Sequence, residues 1–147
     1  MAGFIKIGDH RYLGTIKLAD TVTDGVENGS FVTVNFATGT AVPCVANTGA
    51  VYFVENEIDT IEEEYLNGNN LDYVVKPGKY LKLKKILPMN VFVTTKVSGT
   101  APVVGDIVDV GTTGFITKTT GTPGQTFAVT AIAILWGKTT YTCIANN

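Results

Sequence analysis

Few of the side chains that serve as nucleophiles, bases or metal ligands occur in this sequence. Its 147 residues include one histidine (His10), two cysteines (Cys44 and Cys143) and two serines (Ser30 and Ser98). A nucleophile–base pair would have to use His10, and nothing around Ser30 resembles the strained turn that presents a nucleophilic serine. One histidine and two distant cysteines do not form a zinc site of familiar spacing. We therefore predict that the protein is not an enzyme and holds no metal or cofactor.

Charge and long hydrophobic runs are also scarce. Only 16% of the residues are charged and the formal net charge is -2, which argues against a nucleic-acid partner. The most apolar stretch, residues 127–136, has about half of the ~20 residues that a membrane-spanning helix needs. We interpret it as a buried strand with Trp136 in the core, and we predict no membrane partner. Because the opening residues do not form a secretory signal, we expect Cys44 and Cys143 to be free and buried rather than bridged.

Turn signals and β-branched residues predict an all-β protein. Segments rich in valine, threonine and isoleucine suit a pleated surface and leave few residues for helices. The turn signals between them are Asp24-Gly25, Asn28-Gly29, Thr48-Gly49, Pro77-Gly78, Gly105-Asp106, residues 111–114 and Pro123-Gly124. We predict a β-sandwich or a β-barrel-like fold and one domain over residues 1–147, which is long enough to bury a core.

Alternation with a period of two supports this fold class in four segments. The predicted faces are Val32, Val34 and Phe36 against Phe31, Thr33 and Asn35; Leu81 and Leu83 against Lys82 and Lys84; Val91, Val93, Thr95 and Val97 against Phe92, Thr94 and Lys96; and Tyr141, Cys143 and Ala145 against Thr140, Thr142 and Ile144. Each segment is a strand able to cover a core on one side.

The middle of the chain breaks this pattern. Residues 55–64 hold six acids and no base, and Ile58, Ile61 and Tyr65 are spaced as on one face of a helix. We expect either one short helix near residues 56–66 or a solvated loop, and a division into two lobes near residues 55–64 stays open. Glu55, Glu57 and Asp59 offer oxygen ligands at alternate positions, as in a calcium-binding EF-hand loop. Thr60 stands where such a loop needs glycine, so a solvated acidic face is the simpler interpretation.

Two groups of residues are candidates for an interface. A lysine stripe of Lys79, Lys82, Lys84 and Lys85 suits docking onto an acidic protein surface, although these side chains could equally keep a sheet face soluble. The second group lies near the N-terminus and comprises Phe4, Ile5, Ile7, Arg11 and Tyr12. The segment around Phe4, Ile5 and Ile7 could add as a strand to the edge of a partner or of a neighbouring copy, or form the first strand of the protein's own sheet.

Three segments resemble the small head decoration (cement) proteins of tailed bacteriophages. Residues 20–34 contain a Val-Glu-Asn-Gly turn that leads into a strand, and Ala37-Thr-Gly follows them. Residues 104–116 are similar to the Val-Gly-Asp-x-Val-x-Val hairpin of that family. Residues 137–145 are similar to its final Gly-x-x-x-Tyr/Val-x-Val strand. Together these segments cover about half of the chain, mostly its two ends.

The resemblance implies a structural virion protein on the outer surface of the capsid, assembled in the cytoplasm of a bacterial host. Such a protein would bridge and stabilise major-capsid subunits, with the major capsid protein and copies of itself, such as a trimer, as partners. From Ser98 onward the chain carries only Asp106, Asp109, Lys118 and Lys138 as charges, which is a further hint of assembly. The alternative is another virion or surface module, such as a tail component or a carbohydrate-binding β-domain.

Overall fold

The protein has an all-β fold, as the sequence predicts. The computed structural model describes residues 12–44, 51–56, 74–111, 113–119 and 124–146, and these contain strands but no helix. The strands are β1 (Tyr12–Leu18), β2 (Val26–Glu27), β3 (Phe31–Asn35), β4 (Thr40–Pro43), β5 (Tyr52–Val54), β6 (Val74–Val75), β7 (Tyr80–Lys84), β8 (Val91–Thr94), β9 (Ile107–Val110), β10 (Ile116–Lys118), β11 (Thr126–Leu135) and β12 (Lys138–Ala145).

Five of these strands form a closed barrel in the order β1-β4-β3-β5-β7, in which β7 returns to pair with β1. The β1–β4 pair is parallel and the other pairs are antiparallel. β2 and β6 form a separate two-stranded ribbon. The core of the barrel and this ribbon consists of Ile16, Leu18, Val26, Val32, Ala41, Tyr52, Val54, Val75, Leu81 and Leu83.

The remaining strands form an antiparallel sheet in the order β10-β9-β11-β12-β8. One face of this sheet packs against the outside of the barrel. The core between them includes Phe31 and Phe53 from the barrel and Phe92, Val108, Phe127, Val129, Tyr141 and Cys143 from the sheet. A cluster of four phenylalanine rings therefore joins the two parts of the fold.

Strand β3 shows how alternation builds both cores. Val32 points into the barrel, whereas Phe31 points outward and its ring lies 5.5 Å from that of Phe127 and 5.6 Å from that of Phe92. The predicted alternation is confirmed here, and it is also seen in β7, β8 and β12. The valines of β8 are the outward members of that strand, because Phe92 and Thr94 are buried.

A buried amide pair closes the barrel beside the end of β5. The side chain of Asn28 donates to the carbonyl of Asn56 and accepts from its backbone N–H at 2.8 Å. Asn56 in turn accepts from the Lys82 N–H at 2.7 Å and donates to the Tyr80 carbonyl at 3.0 Å. These bonds satisfy polar groups that burial would otherwise leave unpaired, so they fix the ends of β5 and β7 relative to each other.

Both cysteines are free and buried, as predicted. Burial raises the pKa of the Cys143 thiol to about 12, because desolvation disfavours the thiolate. The helix proposed near residues 56–66 and almost all of the acidic segment lie outside the described residues.

The prediction for residues 127–136 is wrong in its second half. Phe127 and Val129 are fully buried, but every residue from 130 to 139 is exposed. Trp136, predicted to lie in the core, is 72% exposed. The physical reason is that β9 pairs with β11 only as far as Ala128, so the rest of β11 extends beyond the strand that flanks its first residues.

Candidate functional site

The exposed end of the β11–β12 hairpin is the most distinctive surface of the described residues. We call residues 130–139 the hairpin arm. β8 pairs with β12 only from Tyr141 to Ile144, and beyond that point β11 and β12 pair only with each other, from Ala133↔Thr140 to Leu135↔Lys138. The arm therefore continues beyond the five-stranded sheet as a two-stranded ribbon.

A β-bulge marks the point at which the arm begins. Val129 pairs with Cys143 and Ala131 pairs with Thr142, so Thr130 is an extra residue on one strand. A bulge of this kind increases the local twist and redirects the side chains that follow it. Here it separates buried Val129 from the exposed residues of the arm.

The arm presents apolar side chains to solvent. Ile134 is 77% exposed and Trp136 is 72% exposed, and Ile132 and Leu135 are also among the exposed large hydrophobic residues. Lys138 is the one charged residue of the arm. Exposed strands usually carry charges that keep other chains from pairing with them, and this one carries almost none.

The turn at the tip of the arm holds a tryptophan in an unfavourable conformation. Trp136 and Gly137 form a two-residue loop with φ values of 49° and 76°, as in a type I′ turn. Glycine and asparagine are preferred at such positions, and a bulky residue there is an outlier that costs about 1 kcal/mol. The ring makes no compensating buried contact, since it is mostly exposed. Such a residue points to a function at this position.

A second apolar surface lies on the face of the sheet that points away from the barrel. The register places Ile107, Ala128, Ile144 and Val91 side by side in one row across β9, β11, β12 and β8. Val91 is 59% exposed and Ile107 is 41% exposed. Ile132 pairs with Tyr141 and Ile134 pairs with Thr139, so both isoleucines of the hairpin arm lie on the opposite face of the sheet from this row.

The described residues offer little that resembles an active site. No group of three or more histidine, cysteine, aspartate or glutamate side chains is placed to hold a metal in the described part of the chain. A cleft of about 400 Å³ lies at the foot of the arm and is lined by Thr95, Lys96, Val97, Gly99, Ala101, Lys138, Thr139 and Tyr141. These side chains include neither a carboxylate nor an imidazole, so the cleft contains no acid–base pair. Within the same residues, no helix is long and apolar enough to cross a membrane.

The predicted interface residues are distributed as follows. Phe4, Ile5, Ile7 and Arg11 lie outside the described residues, and Tyr12 is the first residue of β1, paired in register with Lys84. The stripe lysines lie in and beside β7: Lys82 and Lys84 alternate with buried Leu81 and Leu83, Lys79 precedes the strand and Lys85 follows it. The structure therefore brings Tyr12 and Lys84 together, and the interface role of all nine residues stays a prediction.

The motifs that carry the family resemblance have clear structural roles. In the Val-Glu-Asn-Gly turn, Gly29 adopts a φ of 85°, and its carbonyl accepts a 2.7 Å bond from the Thr94 hydroxyl. Glu27 forms an ion pair with Lys96 at 3.3 Å. This turn therefore ties the barrel to the segment around β8.

The Val-Gly-Asp motif begins the β9–β10 hairpin. Asp106 accepts from the Val103 N–H at 2.9 Å and pairs with Lys118 at 3.0 Å. The Val103 N–H and then Lys118 lower the pKa of this carboxyl. The motif thus holds the turn before β9 and links it to the end of β10.

The hairpin arm is not predicted by the patterns of the sequence described above. Trp136-Gly137 is not one of the usual turn dipeptides, so the apolar run was not divided at the point where the chain reverses. The available signal is the alternation of small and large residues in Ala131-Ile132-Ala133-Ile134, followed by glycine and a strand rich in threonine.

Comparison with known protein families, curated proteins and solved structures finds no match to this chain.

Proposed function

We propose that the protein is a structural virion component that binds the outer surface of a mature phage capsid and bridges its major-capsid subunits. The observation that carries this proposal is the hairpin arm, which offers a nearly uncharged apolar surface beyond the sheet. The three segments that resemble decoration proteins supply the class of partner. The major capsid protein and further copies of this chain are the proposed partners, and the virion surface is the proposed location.

The energetics of the arm favour a protein partner. Burial of an exposed isoleucine or leucine is worth roughly 1.5–3 kcal/mol, so the four large side chains at the tip supply enough free energy for docking. Aromatic residues such as Trp136 are typical anchors at the centre of protein interfaces. Binding at many equivalent sites on a shell would then add up to stable attachment.

A carbohydrate partner is less well supported. An exposed tryptophan is a feature of sugar-binding sites, but such sites also need polar groups that converge on the ligand. The neighbours of Trp136 on one side are Leu135 and Ile134, which offer only backbone groups. The composition of the tip therefore favours an apolar protein surface.

The test is cosedimentation of the purified protein with phage heads that lack their decoration protein, in expanded and unexpanded forms. We expect saturable binding to expanded shells at a simple ratio to the capsid subunit. The Ile132→Ser variant should bind about 3-fold to 7-fold more weakly, because only the 38% of this side chain that is exposed can be buried on docking, which is worth roughly 0.6–1.1 kcal/mol.

Val42→Ser is the matched control. Val42 is also a β-branched strand residue, and it is 39% exposed where Ile132 is 38% exposed, but it lies on the barrel. This variant should bind like the unmodified protein. Failure of the unmodified protein to bind either form of the shell would contradict the proposed function, and equal binding by both variants would exclude the arm as the docking element.

A further inference from the structure

The Asn28-Gly29 turn contains a dipeptide that is prone to deamidation. Asparagine is a thermolabile residue, and its deamidation begins when the backbone nitrogen of the next residue attacks the Cγ atom of its side chain. Glycine in the next position has no side chain to hinder this attack. The dipeptide lies between β2 and β3, and Asn28 is buried. A reactive peptide is therefore enclosed within the fold.

The fold holds both groups that would react. The Gly29 N–H donates to the Val54 carbonyl at 2.9 Å, so the attacking nitrogen is engaged in a backbone hydrogen bond. The side-chain oxygen of Asn28 accepts from the Asn56 N–H at 2.8 Å, and its side-chain nitrogen donates to the Asn56 carbonyl. The carboxamide of Asn28 therefore cannot turn toward the Gly29 nitrogen unless these bonds break.

The carbonyl of Gly29 is fixed from the side of the sheet. It accepts a 2.7 Å bond from the Thr94 hydroxyl, and Thr94 is only 2% exposed. The same hydroxyl accepts from the Lys96 N–H at 3.0 Å. A Cβ atom at Gly29 would lie 2.8 Å from this hydroxyl, so the turn is tightly enclosed here. Reaction thus requires the turn to separate from the barrel and from Thr94.

We propose that Asn28-Gly29 is a deamidation site that the native fold keeps unreactive, and that deamidation of the opened turn prevents it from closing again. In the opened turn the Gly29 nitrogen forms a bond to Asn28 Cγ while the bond from Cγ to Nδ2 breaks. The Nδ2 group leaves as ammonia with the proton of the Gly29 N–H. Solvent water then opens the cyclic imide to aspartate or isoaspartate. This inference concerns the free protein and does not depend on the proposed function.

Neither product fits the site that Asn28 occupies. Aspartate has no N–H group for the Asn56 carbonyl, and it would place a negative charge beside that oxygen in a buried position. Isoaspartate inserts an additional carbon into the backbone before Gly29, which displaces the Gly29 N–H from Val54 and the Gly29 carbonyl from Thr94. The chemical step therefore converts a reversible local opening into an irreversible one.

Peptide mapping by mass spectrometry tests the protection. The full chain is incubated at neutral pH in native buffer and in urea, and the conversion of Asn28 is followed with time. It should be about 100-fold slower in native buffer, since the hydrogen bonds of Asn28 and of the Gly29 N–H must break before reaction. Asn67-Gly68, the other Asn-Gly dipeptide of the sequence, is the standard in urea and should react there as fast as Asn28. Equal rates at Asn28 in the two solutions would overturn the proposal.

Removal of the Thr94 hydroxyl should release part of this protection. Thr94→Val retains the branched shape but takes a donor from the Gly29 carbonyl, so conversion of Asn28 in native buffer should become about 10-fold faster. Thr33→Val is the matched control, because Thr33 is also a strand threonine but is exposed. This control should leave the rate at Asn28 unchanged. Equal rates in the two variants would contradict protection by the contact with Thr94.

Asn28→Asp reproduces one product and tests its effect on closure. The variant should have a folding equilibrium constant about 10-fold to 100-fold lower in urea denaturation, because the buried Asn56 carbonyl loses its donor. Asn35→Asp is the matched control: the Asn35 side chain is exposed, and its oxygen accepts from the Ala37 and Thr38 N–H groups, as a carboxylate also can. It should keep the constant unchanged. An Asn28→Asp variant as stable as the unmodified protein would overturn the inference that deamidation prevents closure.

Discussion

At Gly114 the backbone beside β10 comes into direct contact with the backbone of the barrel strand β3. The φ of Gly114 is 80°, and its carbonyl accepts a 2.7 Å bond from the Phe31 N–H. A Cβ atom at this position would overlap the carbonyl oxygen of Phe31, which itself accepts a bond from the Cys44 N–H. Glycine is therefore required here both for its conformation and for the close approach of two backbones.

We expect Gly114→Ala to lower the free energy of unfolding by about 2–3 kcal/mol. The substitution adds the strain of a positive φ to a clash with backbone, which cannot rotate away as a side chain can. Urea denaturation followed by circular dichroism measures this loss.

Gly39→Ala is the control, because Gly39 has a φ of 68° but no atom within 4 Å of its added Cβ. It should cost only the conformational strain, about 1 kcal/mol. Equal losses in the two variants would show that the approach of Gly114 to Phe31 contributes nothing.

At the scale of elements, the hairpin arm contains a residue that lowers the stability of its turn and that we propose contacts the binding partner. Trp136 occupies a left-handed position that asparagine accepts more readily, and its ring is mostly solvated. The tryptophan thus destabilises the turn, and on our proposal it is retained for the partner that it contacts. Opposite effects of one substitution on folding and on docking follow from this arrangement.

Trp136→Asn should therefore stabilise the arm by about 1 kcal/mol while it weakens binding to expanded phage heads. Hydrogen exchange of residues 131–135 measures the first effect and cosedimentation measures the second. Trp136→Phe retains both an aromatic ring and the strain, so it should leave exchange unchanged and keep most of the binding. Faster exchange in the asparagine variant would contradict the assignment of strain to this turn.

The strands also show which features of the fold can be predicted from the sequence. Leu81 and Leu83 alternate with lysines, so this strand and its buried face could be predicted from period-two patterning alone. The pairing of β9 with only the first residues of β11 is a long-range property that no local pattern encodes. For that reason Phe127 was correctly placed in the core and Trp136 was not.

The candidate site was harder to predict than the fold for a related reason. Exposure of Ile134 and Val91 depends on where neighbouring strands end, whereas their composition is typical of a core. Period-two alternation predicted that Val91 and Val93 share a face, but it did not determine that this face points outward. The lysine stripe was recognised easily, because alternating charge in a strand is visible in the sequence itself.

At the scale of the whole molecule, the barrel and the five-stranded sheet share one aromatic core. The Phe31 ring lies 5.4 Å from Phe53 of the barrel and 5.5 Å from Phe127 of the sheet. Aromatic pairs at these distances add about 0.5–1.5 kcal/mol each beyond the burial of their area. This coupling predicts that the two parts unfold together rather than as separate lobes.

Val32→Ala tests this coupling, because Val32 belongs only to the barrel core. The lost methyl groups should cost about 2 kcal/mol. If the parts unfold together, the most protected amides of β11 and β12 should lose the same free energy of exchange as those of β3 and β7, although Val32 does not belong to the sheet's core. Phe31→Ala should lower protection in both regions by about 3–5 kcal/mol. Sheet amides that are unaffected by Val32→Ala would show instead that the barrel and the sheet unfold independently.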